Sequence, residues 1–240
     1  MSATYEKQVY LAMLAEQCNR FEDMMEFLDI MVKNKTEGLT SDERNLLSIA
    51  YKNTISLRRT AIRTLLAYEM KEKKKEESAY LPFIVEYKKR IEKELEELCE
   101  KIIKTIDDSL LSRANDDESK VFYHKMKADY YRYIAENIEA ERKKIYADKS
   151  LSSYDEAMNI ANNLEITNPI RLGLALNFSV FYYEVIGDQD KACNIAKEIL
   201  NKANQPLSNV DADDEEHKDA ISIVNLLQEN LSMWTSEDNQ

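Results

Sequence analysis

The sequence predicts an all-α protein of about nine helices, on two observations. Only 3 Gly and 3 Pro occur in 240 residues, although the turns of a β protein need such residues at fixed points. Residues that favour helix, above all Glu, Lys, Leu, Ala and Met, dominate the composition instead. A chain of this length can bury a substantial core in one large domain or in two small ones.

The charge and the cysteines limit the classes of partner. With 45 acidic and 33 basic residues the formal charge is −12, so we expect no nucleic-acid partner and only a local site for anions. Cys18, Cys99 and Cys193 lack metal-binding spacing, and we expect neither a metal nor a cofactor. No apolar run approaches the roughly 20 residues that span a bilayer, and the N-terminus lacks the apolar core of a signal peptide. These features predict no membrane insertion and a cytoplasmic location.

Local signals define the first three helices. Apolar residues at helical spacing predict helices at Thr4–Cys18 and Phe21–Lys33. Thr40 and Glu43 have the spacing of a capping box, so a long third helix is predicted at about Ser41–Lys71.

The middle of the chain carries two more helices. The segment Lys71–Glu77 is interpreted as a solvated helix end and loop, with a weak nuclear localisation signal as the alternative. Pro82 fits the first turn of a fourth helix, which carries apolar residues at core spacing before Arg113. The acidic segment Asn115–Glu118 caps a fifth helix, which is expected to span about 118–140.

Capping residues also mark the sixth and seventh helices. The sixth is predicted at Tyr154–Leu164. Asn168 caps a seventh helix over about 169–186, and Gly187 is placed to end it in a left-handed conformation.

The last part of the chain is predicted to hold two helices and a tail. Asp188 caps an eighth helix that runs to about Ala203. The acidic run 211–216 lacks the spacing of a calcium loop and favours the start of a ninth helix over about 215–234. Residues 235–240 are expected to form a short, flexible acidic tail.

The fifth predicted helix places charged residues on one line. At about 100° per residue, positions at offsets 0, 4, 7 and 11 lie within roughly 60° of arc around the helix axis. Here they are Lys125, Asp129, Arg132 and Glu136. Tyr133 lies beside Arg132, and a guanidinium flanked by a phenol and a second cation suits a phosphate. A solvated face of salt bridges is the alternative interpretation.

The same offsets select residues on three other predicted helices. They select Lys52, Ser56, Arg59 and Arg63 on the third helix, Gly173, Asn177, Val180 and Glu184 on the seventh, and Ile223, Leu227, Asn230 and Trp234 on the ninth. Across an open groove these lines would form a cationic wall and an apolar wall with two Asn amides. Because an amide offers a donor and an acceptor to an extended main chain, the pattern predicts a site for an extended anionic peptide.

Four segments carry a resemblance to a known family. They are RNLLSIAYKN (Arg44–Asn53), ESKVFYHKMKADYYRYIAE (Glu118–Glu136), NPIRLGLALNFSVFYYE (Asn168–Glu184) and LLQENLSMWTSED (Leu226–Asp238). In this order they resemble the 14-3-3 proteins, over nearly the whole chain. The resemblance implies one domain over 1–234, built from nine antiparallel helices as an open cup-shaped bundle. It implies a phosphoserine or phosphothreonine peptide in a groove of each protomer, formed by helices near 41–71, 118–140, 169–186 and 215–234.

The resemblance assigns ligand-binding residues position by position. Those that match the phosphate pocket are Lys52, Arg59, Arg132 and Tyr133. Those that match the peptide contacts are Asn177 and Asn230 on the main chain, Lys125, Glu184 and Trp234 at the flanks, and Leu176, Val180, Ile223 and Leu226 along the apolar wall. Two Arg, a Lys and a phenol can saturate the three acceptor oxygens of a phosphoryl group, which carries about −1.5 to −2 charge.

The resemblance also implies a homodimer, or a heterodimer with a paralogue, formed through the N-terminal helices at about 4–34. The residues that it places at this interface are Leu14, Cys18, Arg20, Asp23, Ala61, Leu65, Tyr87, Arg90 and Glu94. Arg20 is expected to face Glu94 across the interface, and Asp23 to face Arg90. Many members of the family have at position 61 a serine whose phosphorylation splits the dimer, and this chain has Ala61.

Two departures from the family pattern concern the groove helices. Ser222 replaces a usual Leu at the rim of the apolar wall, so we expect it to affect side-chain preference rather than phosphate binding. His124 replaces another usual Leu and is interpreted as structural.

The sequence does not predict an enzyme. The Gly residues are too scattered for a phosphate loop, no Cys precedes an Arg by six positions as in a cysteine phosphatase, and no Glu-x-x-His pair exists for a di-iron bundle. The family resemblance implies instead an adaptor that binds phosphorylated proteins in signalling and regulates their conformation, localisation or interactions. A helical scaffold that binds partners independently of phosphate is the alternative.

Overall fold

The structure is a computed structural model that describes residues 2–138, 140–208 and 217–237. Within these ranges the regular structure comprises nine α-helices and no strand, which confirms the predicted all-α fold. In chain order, α1 to α9 span Ser2–Gln17, Phe21–Asn34, Ser41–Glu72, Leu81–Thr105, Asp117–Glu136, Ala140–Ala161, Pro169–Phe181, Gln189–Leu207 and Lys218–Glu237. Shorter helical turns are π turns at Ile106–Leu110 and Tyr182–Ile186 and a 3-10 turn at Leu111–Arg113.

The helices divide between two compact units. Of the described residues, 2–114 and 137–138 form the first unit, and 115–136, 140–208 and 217–237 form the second. The single domain over 1–234 and the cup-shaped arrangement stay predictions. No helix in the described ranges is both long and apolar enough to cross a lipid bilayer.

In the first unit α1 packs on α2, and α3 packs on both α2 and α4. The predicted capping box begins α3, where the N–H of Glu43 donates to the Thr40 hydroxyl at 3.3 Å and the N–H of Thr40 donates to the Glu43 carboxylate at 2.8 Å. Burying one large apolar side chain contributes roughly 1.5–3 kcal/mol to folding. The large side chains that are fully buried in this unit are Met24, Leu28, Met31, Leu47, Tyr51, Ile55, Leu95 and Ile102.

In the second unit α5 packs along α6 and against α7, and α7 packs against α8 and α9. Asp116, Asn168 and Asp188 each accept a hydrogen bond from a main-chain N–H at the start of the following helix, at 2.6, 2.9 and 2.9 Å. Gly187 has a φ of 77°, which is the left-handed conformation predicted to end the preceding helical turn. The residues at the centre of this core include Tyr154, Leu172, Phe181, Leu227 and Trp234.

The predicted start of the sixth helix is wrong, since α6 begins at Ala140 rather than at Tyr154, and it ends at Ala161 rather than at Leu164. The buried residues of α6 that precede Tyr154 are Tyr146, Ala147, Ser150 and Ser153, a mostly small and polar set that gives no apolar periodicity. Ser150 is buried because its hydroxyl donates to the carbonyl of Ala128 at 2.9 Å. This hydrogen bond allows a polar residue to be buried, so the sequence shows no apolar residue at this core position.

Other helix ends also differ from the predictions. α5 ends at Glu136, before the expected limit of 140. α8 continues past Ala203 to Leu207 and includes a proline in its last turn, because the buried Leu207 side chain still packs on the core. α9 continues past Trp234 to Glu237, so the first residues of the expected tail are helical. The acidic run 211–216 lies outside the described residues.

Candidate functional site

A buried carboxylate, Asp129, is the centre of the candidate site in the second unit. It accepts hydrogen bonds from the hydroxyl of Tyr154 at 2.5 Å and from Nζ of Lys125 at 2.9 Å. The Nδ2 group of Asn177 donates to it as well, at 2.9 Å from each carboxylate oxygen. Three helices, α5, α6 and α7, thus place side chains around one acidic group.

The Asp129 carboxylate is ionised. Burial alone would raise its pKa, but the charges of Lys125 and Arg132 and the hydrogen bonds from Tyr154 and Lys125 outweigh burial and hold the pKa below its usual value. The negative charge therefore persists at neutral pH and keeps the surrounding donors oriented toward it.

Arg132 is the cation that this network holds in place. Its side chain is 6% exposed, and its Nη1 donates to Oε1 of Glu136 at 2.7 Å. Its Nε donates to the hydroxyl of Tyr154 at 3.2 Å, and its Nη2 lies 3.6 Å from Oδ1 of Asp129. The guanidinium carbon lies 4.6 Å from the centre of the Tyr133 ring. A guanidinium has five N–H donors, and the hydrogen bonds to Glu136 and Tyr154 use one on Nη1 and the one on Nε.

Asn177 has a defined amide orientation. Only the NH2 group of an amide can donate to a carboxylate, so the contacts with Asp129 fix which end of the Asn177 amide faces that residue. The carbonyl end of the Asn177 amide therefore points away from the carboxylate, where it can accept a hydrogen bond from a ligand N–H.

Gly173 marks a point where α5, α7 and α9 come close together. A Cβ atom at this position would lie 3.8 Å from Cδ1 of Ile223 on α9 and 3.8 Å from Cε of Lys125 on α5. Of the predicted apolar wall, Leu176, Val180 and Ile223 are half-buried against the core, and Leu226 is 46% exposed. Lys125 of the cationic line and Ile223 of the apolar line therefore both lie close to Gly173, and the groove that the two lines would form stays a prediction.

The remaining predicted contacts of the second unit have different degrees of exposure. Glu184 is exposed on the π turn, and Asn230 is half-buried on α9. Trp234 is 2% exposed, stacks on Tyr183 with ring centres 4.8 Å apart, and accepts a hydrogen bond on its carbonyl from Gln189 at 2.7 Å. The Trp234 ring is thus part of the core of this unit, and its role as a groove contact stays a prediction.

The other phosphate-pocket residues belong to α3 of the first unit. Lys52 is exposed and Arg59 is half-buried, two helical turns further along the same side of α3. Arg58 lies elsewhere on α3 and pairs with Glu22 at 2.6 Å and with Glu94 at 3.7 Å. The joining of Lys52 and Arg59 with Arg132 and Tyr133 into one pocket stays a prediction.

All residues predicted for the dimer interface lie in the first unit. Leu14 is 44% exposed and Tyr87 is 50% exposed. Cys18 is exposed, whereas Ala61 and Leu65 are half-buried. Within one chain Arg20 pairs with Asp23, and Arg90 pairs with Glu94 at 3.3 Å. Pairing of these four charges across a dimer stays a prediction.

Two residues of the network have no role assigned by the sequence analysis. Asp129 is on the charged line of α5, and its position between two cations, Lys125 and Arg132, is the signal that could identify it as their shared partner. Tyr154 is 25 positions further along the chain, and no local pattern of the sequence links it to Asp129.

Comparison with known proteins identifies the family. A family model described as "14-3-3 protein" matches residues 11–235. The chain is 46% identical over 239 residues to a "14-3-3-like protein" of Helianthus annuus, a match that covers 98% of this chain and 92% of that protein. It is 46% identical over 232 residues to "14-3-3 protein 2" of Entamoeba histolytica, covering 97% and 96% of the two chains. Since both comparisons extend over nearly the whole sequence, the chain belongs to the 14-3-3 family.

Proposed function

We propose that the protein is an adaptor that binds phosphoserine and phosphothreonine peptides and, as a dimer, grips phosphorylated client proteins in signalling. Binding would regulate the conformation, localisation or interactions of the client. Members of this family are non-enzymatic adaptors, and the protein is not an enzyme. We place its action in the cytoplasm, with the nucleus as an additional compartment.

The observation that carries this proposal is the fixed position of Arg132. Its guanidinium is held by Glu136 and Tyr154 and stacks on Tyr133, so contacts within the protein fix its position. A cation that is already ordered loses little conformational entropy when an anion binds. A phosphoryl group carries about −1.5 to −2 charge and three acceptor oxygens, and it forms short, charge-assisted hydrogen bonds with a guanidinium.

The proposal assigns the phosphate to Lys52 and Arg59 of α3 together with Arg132 and Tyr133 of α5, as the family resemblance implies. The main chain of the peptide would pair with Asn177 and Asn230. The fixed orientation of the Asn177 amide supports this assignment, because it leaves the amide carbonyl as an acceptor.

The test is a charge reversal at Lys52. Each charge-assisted hydrogen bond to the phosphate contributes roughly 1.5–3 kcal/mol, and Lys52→Glu adds repulsion to that loss. We expect Lys52→Glu to weaken binding of a labelled phosphoserine peptide by at least about tenfold in fluorescence polarisation, with helicity and melting temperature near those of wild type.

Lys197→Glu is the matched control, since it makes the same change of charge at an exposed position on α8. We expect it to bind like wild type. Wild-type affinity in Lys52→Glu would refute the pocket assignment. Equal binding of phosphorylated and unphosphorylated peptides by the wild type would instead favour a scaffold that acts independently of phosphate.

A further inference from the structure

Tyr154 connects the two charged groups of the candidate site in the second unit. Its side chain is fully buried. The hydroxyl donates to Oδ1 of Asp129 at 2.5 Å and accepts from Nε of Arg132 at 3.2 Å. α6 supplies the hydroxyl, whereas α5 supplies both of its partners, so the packing of two helices creates this bridge.

The phenol ring is held independently of its hydroxyl. It stacks on Phe178, with ring centres 5.1 Å apart, and packs at 5.4 Å against Phe181. Aromatic contacts of this kind fix a ring whether or not it carries an oxygen atom. Removal of the hydroxyl alone should therefore leave the ring in place and delete only the bridge.

The hydroxyl separates a cation from an anion. Nη2 of Arg132 lies 3.6 Å from Oδ1 of Asp129, which exceeds the length of a hydrogen bond. The phenol already donates to that same oxygen atom, and burial together with the Asp129 charge raises the pKa of Tyr154 well above its usual value. The hydroxyl therefore keeps its proton and donates a hydrogen bond to Oδ1 of Asp129.

We propose that Tyr154 is a positioning residue for phosphate binding: its hydroxyl keeps Arg132 from closing onto Asp129 and so preserves guanidinium donors for the ligand. This inference rests on the proposed function and adds a residue of α6 to its mechanism. Without the hydroxyl, the guanidinium would form a direct ion pair with Asp129, and a phosphate would have to compete with that carboxylate.

Tyr154→Phe tests this role, with Tyr51→Phe as the matched control. Tyr51 is also fully buried, and its hydroxyl also donates to a carboxylate, that of Asp29 on α2 at 2.8 Å. We expect Tyr154→Phe to bind a fluorescein-labelled phosphoserine peptide roughly tenfold more weakly than wild type. We expect Tyr51→Phe to stay within about twofold of wild type, although both variants should lose a similar amount of stability in thermal unfolding.

A second measurement follows Arg132 directly, without any ligand. In protein labelled with 15N at arginine Nε, the Nε–H resonance of Arg132 can be assigned through its loss in Arg132→Lys. We expect this proton to exchange with water at least about tenfold faster in Tyr154→Phe than in wild type, because its acceptor is gone and the ion pair with Asp129 would form through Nη2. We expect its exchange to be unchanged in Tyr51→Phe.

The outcomes separate the two proposals. If wild type binds the phosphopeptide in preference to its unphosphorylated form but Tyr154→Phe binds equally well, the positioning role is refuted and the proposed function stands. Equal loss of affinity in both Phe variants, or an unchanged Nε–H exchange rate in Tyr154→Phe, also refutes the role. A wild type without preference for phosphate overturns the proposed function and this inference with it.

Discussion

Asp129 organises side chains that come from three different helices. Lys125, Tyr154 and Asn177 all donate hydrogen bonds to it. A buried carboxylate that lacked such partners would take up a proton or destabilise the fold by several kcal/mol. Because its charge is maintained and fully paired, Asp129 holds the donors of the candidate site in one arrangement.

At the scale of single residues, Asn177 and Ser222 are predicted to have separate effects on ligand binding. Asn177→Ala removes an amide that is proposed to contact the peptide main chain, which all ligands share. We expect this change to weaken different phosphopeptides by similar factors, roughly five- to tenfold for one hydrogen bond. A peptide array probed with wild-type and variant proteins measures the factor for each sequence.

Ser222→Leu is the counterpart, since it changes an exposed side chain on α9 at the rim of the apolar wall. We expect it to change the ranking of peptides while leaving the requirement for phosphate intact. A ranking altered by Asn177→Ala, or one untouched by Ser222→Leu, would contradict this separation of roles.

The charged line on α5 could be predicted from the sequence, and its burial could not. Helical offsets correctly place Lys125 near Asp129 and Arg132 near Glu136, and both pairs form, at 2.9 and 2.7 Å. The interpretation as a solvated face is wrong for Asp129 and Arg132, because both are buried. Both contact the hydroxyl of Tyr154 on α6, and no local pattern of the sequence links that residue to α5.

At the scale of elements, the ends of helices were predictable where short-range chemistry determines them. Thr40, Asn168 and Asp188 cap α3, α7 and α8 as their sequence positions indicate. The start of α6 was not predictable in this way. Its buried serines form hydrogen bonds within α5 and α6, as the Ser150 hydroxyl does with the carbonyl of Ala128. In the sequence these serines therefore resemble an exposed polar segment.

The capping box of α3 is predicted to contribute measurably to stability. Thr40→Ala removes the acceptor for the N–H of Glu43, and loss of such a cap lowers the free energy of unfolding by about 1 kcal/mol. Urea denaturation of wild type and variant measures this difference. Thr36→Ala is the control, because Thr36 is an exposed threonine in the loop before α3.

A binding measurement on the same variants separates the effect on stability from the effect on ligand binding. α3 carries Lys52 and Arg59 well beyond its first turn, so we expect Thr40→Ala to keep wild-type affinity for a phosphopeptide at 25 °C. Equal stability of Thr40→Ala and Thr36→Ala would show that the capping box contributes nothing to folding. A large loss of affinity in Thr40→Ala would show that the helix start and the proposed pocket are coupled.

At the scale of the whole molecule, composition and periodicity were sufficient to predict the class of fold and the number of helices. They do not determine how compact units form, because contacts between helices depend on side-chain packing rather than on local pattern. The residues assigned to the groove and to the dimer illustrate this limit. Lys52 and Arg59 belong to the first unit together with the predicted interface, and the other groove residues belong to the second.

The charged residues of the predicted interface are exposed, and exposed charges contribute little to the stability of an interface. Arg20 pairs with Asp23 and Arg90 with Glu94 within one chain, on the surface. Exposed pairs of this kind contribute little because solvent screens them, and exchanging partners across a dimer would keep the number of pairs unchanged. The apolar residues, such as Leu14 and Tyr87, should therefore decide the stability of the dimer.

Ala61→Asp is predicted to convert a constitutive dimer into a monomer. The variant would bury a carboxylate without a partner among apolar side chains of the interface, which costs several kcal/mol. We expect sedimentation equilibrium at micromolar concentration to give a dimer for wild type and a monomer for Ala61→Asp. Thr60→Asp, which adds the same charge at the neighbouring exposed position, should stay dimeric. A monomeric wild type would refute the interface, and a fully dimeric Ala61→Asp would show that residue 61 lies outside it.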